Sequence, residues 1–112
     1  MIEIREAVLD DVADIARVHV KADWGTYAPL FGAQAYALDV ADSEQRWRRA
    51  LQDGGLLLVA TDAGTIVGLG YASTDRIGAL YLLAAYHRRG IGKAMLARLL
   101  QALCQRHIRS SI

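Results

Sequence analysis

The sequence predicts an α/β domain in which a mixed β-sheet is flanked by helices. Alternating apolar residues over positions 2–7 are typical of a short opening strand. Two apolar segments, 56–60 and 65–73, are separated by a tight Asp-Ala-Gly turn and predict a β-hairpin. A further apolar strand, 79–83, leads through a basic turn into a long amphipathic helix. We expect the 112 residues to form one domain, 1–112.

One helix and a loop are predicted to follow the first strand. Asp10 or Asp11 can cap a helix that places Ile15 among its apolar side chains. Residues 24–38 are rich in aromatic side chains and contain Gly25, Gly32 and the only proline, Pro29. This composition predicts a loop over that segment.

Two more helices are predicted. One begins at an N-cap provided by Asp42 or Ser43 and ends at the Gly54-Gly55 pair. The last runs over about 90–107, and its periodicity predicts a buried stripe. The residues of this stripe are Met95, Leu96, Leu99, Leu100 and Leu103.

The composition excludes several classes of protein. A net charge of +1 gives no general electrostatic basis for binding nucleic acid or a membrane surface. No apolar stretch approaches the ~20 residues that a membrane-spanning helix needs. The single cysteine, Cys104, permits no internal disulfide, and we therefore expect a cytoplasmic protein in which Cys104 packs as a small buried hydrophobe. The three histidines are scattered, so no metal site is expected.

The segment 79–93, ALYLLAAYHRRGIGK, carries the clearest chemical signal. Glycines in its turn let an anion approach the main chain, and the first N–H groups of the following helix are unpaired. The helix dipole adds positive potential at the same point. Arg88, Arg89 and Lys93 add full charges. This pattern predicts a site for a phosphate or a pyrophosphate.

Two other phosphate-binding loops are excluded by particular residues. A P-loop needs a glycine five residues before its Gly-Lys pair and a Ser or Thr after it, but His87 and Ala94 stand at those positions. A dinucleotide-binding fingerprint needs a third glycine and an acidic residue about twenty positions later. Met95 stands at the glycine position, and no carboxylate follows Asp75.

The strand, the loop His87-Arg88-Arg89-Gly90-Ile91-Gly92 and the helix resemble the central motif of the Gcn5-related N-acetyltransferase (GNAT) superfamily, which reads Gln/Arg-x-x-Gly-x-Gly/Ala. The likeness extends upstream through 2–15 and 56–71, which look like the first strand and helix and the second and third strands of the family. The chain departs from the pattern at His87 and at Ala84, where a proline is common. The resemblance implies a GNAT-like fold that lacks the usual C-terminal strand-helix-strand segment, since the sequence stops at Ile112.

This resemblance also implies a function and a set of contacts. We expect an N-acetyltransferase that transfers the acetyl group of acetyl-coenzyme A directly to a primary amine of a small molecule or peptide. The backbone of the strand would bind the pantetheine arm, and the loop would hold the pyrophosphate. The residues expected to bind the coenzyme are Leu80, Tyr81, Leu82, His87, Arg88, Arg89, Gly90, Ile91, Gly92 and Lys93.

The sequence and the family resemblance do not identify the catalytic residues. Many relatives have a glutamate near the start of this strand, and Ala79 stands at that position here. A water chain is one candidate for the general base, and the side-chain candidates are Asp75, Glu44 and Asp23. The region that contacts the acceptor in the family contains His19, Trp24, Tyr27 and Tyr36. A structural role is favoured for His19, whereas Trp24 and Tyr27 either line a pocket or pack in the core.

A function from a different class stays open. The later segment of the family commonly carries a tyrosine that acts as general acid, and it walls one side of the coenzyme cleft. A chain without this segment could bind coenzyme A, or dimerise through its uncovered sheet, without catalysing transfer. A homodimer is expected on the same grounds.

Overall fold

The structure is a computed structural model that describes residues 1–24, 28–73 and 76–110, with the backbone alone over 23–24, 28–39 and 106–110. Its strands are β1 (Ile2–Glu6), β2 (Leu56–Asp62), β3 (Thr65–Ala72) and β4 (Ile77–Leu82). Its α-helices are α1 (Val12–Trp24), α2 (Ala28–Gln52) and α3 (Ile91–Ser110), and 3-10 turns cover Leu9–Asp11 and Ala84–Tyr86. The predicted α/β class is confirmed. None of the helices in these segments is long and apolar enough to span a bilayer.

The four strands form one sheet in the order β1-β2-β3-β4, and each neighbouring pair is antiparallel. The prediction of a mixed sheet is therefore wrong for the described strands. A parallel pair needs a crossover that returns the chain in the same direction. Here β2 and β3 are joined by a tight hairpin, and β3 reaches β4 through a short connection. Strand β4 lies at one edge of this sheet.

Helices cover both faces of the sheet, and each face has its own apolar core. On one face, α1 and α2 contribute buried residues such as Ile15 and Trp47, which pack with Leu69. On the other face, α3 contributes Met95 and Leu99. The alternation of side chains along β4 places Ala79 and Tyr81 on the α1 face and Leu82 on the α3 face.

Helix α2 is longer than the sequence analysis predicts. The loop predicted for 24–38 is wrong over 28–38, because the helix begins at Ala28 and runs without a break to Gln52. Pro29 lies in the first turn of this helix, where a missing N–H costs nothing. Ser43 is not an N-cap but a buried residue, and its hydroxyl bonds to His19 instead.

Helix α3 buries a narrower stripe than predicted. Met95 and Leu99 are fully buried, but 37% of Leu96 and 48% of Leu100 is exposed. The prediction that Cys104 is buried is also wrong, because its side chain is exposed. The helix meets the sheet along an i, i+4 row, and residues one position further along point about 100° away from it.

Candidate functional site

The loop between β4 and α3 has the backbone conformation of an anion-binding turn. Arg88 and Gly90 both adopt positive φ, at 65° and 79°. Arginine rarely takes this left-handed conformation, so the loop holds Arg88 at some conformational cost. Left-handed residues interspersed in a tight turn aim successive N–H groups into one concavity.

The start of α3 supplies free N–H groups at the same place. Its first helical hydrogen bond runs from the N–H of Ala94 to the carbonyl of Gly90, at 3.0 Å. The N–H groups of residues 91–93 therefore have no acceptor within the helix. A Cβ atom placed on Gly90 or Gly92 meets no atom within 4 Å, so open space faces both glycines. The loop has the donors and the room that a phosphate group needs.

Three cations surround this loop. Arg88, Arg89 and Lys93 are exposed, and among the ion pairs of the described residues none involves any of them. The guanidinium carbon of Arg89 lies 5.1 Å from the centroid of the Tyr86 ring. No carboxylate of the described residues therefore forms an ion pair with these three cations.

The Tyr86 ring is itself fixed from the other side. Its hydroxyl donates a 2.7 Å hydrogen bond to Asp62, whose other carboxylate oxygen lies 3.5 Å from the amino group of Met1. The hydrogen bond from Tyr86 is the main cause that lowers the pKa of Asp62, and the same bond raises the pKa of Tyr86. This contact joins the end of β2 to the turn before the loop.

His87 ties the loop to the end of β4. Its ring Nε2 lies 2.9 Å from the carbonyl oxygen of Leu82, which can only accept, so Nε2 carries the proton. Its backbone N–H donates to the carbonyl of Ala84 at 3.2 Å. In this structure His87 therefore shapes the loop through two bonds to its own neighbourhood.

The open edge of β4 presents main-chain N–H groups beside the loop. Leu83 donates its N–H to the carbonyl of Val67 on β3, at 2.9 Å. Backbone groups alternate in direction along an antiparallel strand, so the N–H of Tyr81 also points toward β3. The N–H groups of Leu80 and Leu82 point the other way, toward the open edge. Of the three strand residues predicted to contact the coenzyme, Leu80 and Leu82 therefore direct their N–H groups toward the open edge. Tyr81 directs its N–H group toward β3.

A pocket of about 220 Å³ lies on the α1 face of β4. Aromatic rings dominate its lining: the His19 and Tyr81 rings are 4.6 Å apart, and Trp47 meets both His19 and Tyr71 edge-on. Its lining residues are His19, Arg46, Trp47, Ala50, Tyr71, Gly78, Ala79 and Tyr81. The main-chain groups of Tyr81 therefore face β3, and its side chain lines the pocket.

Hydrogen bonds orient the buried ring of His19. The indole N–H of Trp47 donates to Nδ1 at 3.2 Å, and the hydroxyl of Ser43 lies 2.7 Å from the same nitrogen. An indole N–H can only donate, so Nδ1 is the acceptor and a neutral His19 carries its proton on Nε2. These bonds fit the structural role favoured for His19. Ser43, predicted as a candidate N-cap, and Trp47 are not among the predicted site residues, although their i, i+4 spacing places both on one face of a helix.

Among the candidate general bases, the structure describes the side chain of Glu44 alone. Glu44 is a partly buried residue of α2. Asp75 and the side chain of Asp23 lie outside the described residues, as do the side chains of Trp24, Tyr27 and Tyr36. Across the segments that the structure describes, no three His, Cys, Asp or Glu side chains come together as a metal site.

The antiparallel sheet, the N–H-rich basic loop and the helix that begins there define an α/β domain with an exposed, positively charged loop at the start of α3. Residues 26–112 match the family model described as the acetyltransferase (GNAT) domain. The chain is also 31% identical over 116 residues to the uncharacterized N-acetyltransferase YuaI of Bacillus subtilis (strain 168). That match covers 94% of this chain and 66% of the relative. The chain therefore belongs to the GNAT acetyltransferase family, and it spans just under two thirds of this relative's length.

Solved structures share the fold. The PaiA N-acetyltransferase of Thermoplasma acidophilum, in complex with coenzyme A, matches with a TM-score of 0.77 at 20% identity, over 96% of this chain and 75% of the other. A GNAT family acetyltransferase of Brucella melitensis, in complex with acetyl-CoA, matches with a TM-score of 0.69 at 21% identity, over 94% and 70%. Because these structures are only 20% and 21% identical to this chain, the similarity shows a shared fold alone.

Proposed function

We propose that this chain is the coenzyme-binding part of an acetyl-CoA-dependent N-acetyltransferase that acts on a primary amine of a small molecule or peptide. The observation that carries the proposal is the turn at Arg88 and Gly90, which opens α3 with free N–H groups and with cations that form no ion pair among the described residues. Membership of the GNAT family and the coenzyme complexes of similar folds support the same ligand.

In this proposal the coenzyme lies along the open edge of β4 and ends at the loop. The pyrophosphate accepts hydrogen bonds from the N–H groups of residues 91–93, with Arg88, Arg89 and Lys93 around it. The outward N–H groups of Leu80 and Leu82 bind the pantetheine arm. Bound acetyl-coenzyme A supplies a thioester as the activated acetyl group, and the role of this chain is to hold and orient it.

The aromatic pocket beside Tyr81 is our candidate for the acceptor site, because it reaches β4 from the face opposite α3. In the transfer, the amine nitrogen forms a bond to the acetyl carbon, the carbon–sulfur bond breaks, and coenzyme A leaves as the thiol. One proton must leave the amine nitrogen. The structure singles out no side chain for that proton, and Glu44, Asp23, Asp75 and water stay the candidates.

Two measurements on the 112-residue chain test this function. Calorimetric titration with acetyl-coenzyme A is expected to show saturable binding with one site per chain. Release of free thiol in the presence of a panel of primary amines is expected to show turnover with at least one class of amine. A folded chain that binds no coenzyme would overturn the proposal.

A coenzyme-binding or dimerising module without turnover is the second candidate. The apolar side chains of Leu80, Leu96 and Leu100 are 39%, 37% and 48% exposed, and β4 is an edge strand of the sheet that the structure describes. Exposed apolar surface and free strand edges favour association. Tight binding of coenzyme A without thiol release for any amine would support this candidate over the enzyme.

A further inference from the structure

We propose that Asp62 and Tyr86 are positioning residues that hold the guanidinium of Arg89 at the phosphate-binding loop. The proposal rests on the proposed function, because it concerns how the same loop binds the coenzyme. It assigns a role to two residues outside the glycine-containing motif. The phosphate they serve is either the pyrophosphate or the ribose phosphate of the coenzyme.

The geometry forms a chain of contacts across three parts of the fold. Asp62 is the last residue of β2, Tyr86 is the last residue of the 3-10 turn, and Arg89 lies in the loop. The Tyr86 hydroxyl bonds to Asp62 at 2.7 Å, and the guanidinium of Arg89 lies over the face of the same ring at 5.1 Å. The end of the hairpin therefore fixes the Tyr86 ring, and the guanidinium of Arg89 makes a cation–π contact with that ring.

The ring is also held by packing. Tyr86 is partly buried and packs against the apolar core between α3 and the sheet. Two restraints, one polar at the hydroxyl and one apolar along the ring, therefore define its orientation.

Arg89 needs such a platform because its side chain is exposed and long. A free arginine side chain loses about 2 kcal/mol of rotamer entropy when a ligand immobilises it. Stacking on Tyr86 restricts the side chain before the ligand arrives, so less of this entropy is lost on binding. A guanidinium held in place can then offer a two-pronged hydrogen bond to phosphate oxygens.

A double-mutant cycle tests the chain of contacts. We expect Tyr86→Leu to weaken binding of acetyl-coenzyme A by about two- to fivefold, the range for an exposed cation–π contact. In an Arg89→Ala background, which has no guanidinium to position, the same change is expected to have no further effect. Lys93→Ala is the matched control, since it removes a cation of the loop that does not rest on Tyr86. In that background Tyr86→Leu is expected to keep its full effect.

Tyr86→Phe serves as a second variant that keeps the ring and the packing. It removes only the bond to Asp62, and a smaller loss of affinity that also vanishes in the Arg89→Ala background is expected. If Tyr86→Leu does not fold, this variant alone decides the matter. Circular dichroism at the titration temperature confirms that each variant is folded.

Dephospho-coenzyme A, which lacks the ribose phosphate, separates the two possible ligands of Arg89. An Arg89→Ala effect on both coenzymes assigns the pyrophosphate, and an effect on acetyl-coenzyme A alone assigns the ribose phosphate. Equal effects of the Tyr86 substitutions in the wild-type and Arg89→Ala backgrounds overturn the inference while the proposed function stands. Absence of coenzyme binding by the wild-type chain overturns both.

Discussion

The Asp11 carboxylate joins the first strand to the 3-10 turn that precedes α1. It accepts two hydrogen bonds from the Arg5 guanidinium, at 2.8 and 3.0 Å, and one from the backbone N–H of Val8, at 2.8 Å. The side-chain bond from Arg5 is the main cause that lowers the pKa of Asp11, and the bond from Val8 acts in the same direction. The carboxylate therefore stabilises the fold in its charged form.

Replacing Asp11 by Asn is expected to lower the free energy of unfolding by about 1 kcal/mol at neutral pH. A lowered folded-state pKa contributes stability above the unfolded pKa of about 3.9, and this stability is lost as pH falls through the folded value. The difference between wild type and variant should therefore shrink in acid. Urea unfolding at several pH values measures it. Asp14→Asn, which breaks the exposed pair with Arg17, is the control and should change little.

The hairpin turn holds Ala63 in a left-handed backbone conformation that alanine rarely adopts. Asp62 pairs with Thr65, and the two residues between them have positive φ, 51° at Ala63 and 87° at Gly64. This is the pattern of a two-residue type I′ turn, for which Asn-Gly is preferred. Ala63→Asn is expected to raise the free energy of unfolding by about 0.5–1 kcal/mol. A thermal midpoint equal to or below that of the wild type would show that the turn has another conformation.

At the scale of elements, α3 holds the loop in place by packing on the sheet. Leu99 is fully buried and packs with Met95 in the core of that face. Leu99→Ala is expected to cost about 2–5 kcal/mol of unfolding free energy, through lost burial and the cavity it leaves. Leu96→Ala, one helical residue after Met95 and largely outside the core, should cost much less. Comparable losses for the two variants in denaturant titrations would mean that α3 is rotated relative to this structure.

The elements that could be predicted from the sequence are those with a local signal. The hairpin, the strand before the loop and the start of α3 follow from turn residues and from hydrophobic periodicity. The first part of α2 could not be predicted, because Pro29 in a helical first turn looks the same in sequence as a proline in a loop. Which leucines of α3 are buried depends on how the helix is rotated against the sheet, and local periodicity does not contain that information.

The candidate site also contains features that could be predicted from local sequence and contacts that could not. The glycines and cations of the loop are contiguous in sequence, so their chemistry could be predicted. The contact of Asp62 with Tyr86 joins residues 24 positions apart, and the bond of His19 to Trp47 joins residues 28 apart. Such contacts follow from how β2, α1 and α2 are arranged in space, and no local pattern indicates them.

At the scale of the whole molecule, apolar surface is left exposed along α3. Leu96 and Leu100 lie one turn apart on this helix and are 37% and 48% exposed. We expect the chain to form a dimer through this surface, which light scattering of the purified chain can measure as mass. Leu100→Glu should then shift the mass toward that of a monomer. Leu9→Glu, at a 60% exposed leucine near the start of α1, is the control and should leave the mass unchanged.

The central claim is that the backbone of the loop binds the phosphates of acetyl-coenzyme A, and a pair of glycine variants tests it most directly. Gly90 and Gly54 have nearly the same left-handed φ, 79° and 82°, and a Cβ on either meets no atom within 4 Å. Gly90→Ala and Gly54→Ala should therefore cost similar stability, about 1 kcal/mol each. We predict that calorimetric titration with acetyl-coenzyme A shows binding lost or strongly weakened for Gly90→Ala and unchanged for Gly54→Ala. Equal affinity of the two variants would contradict the account.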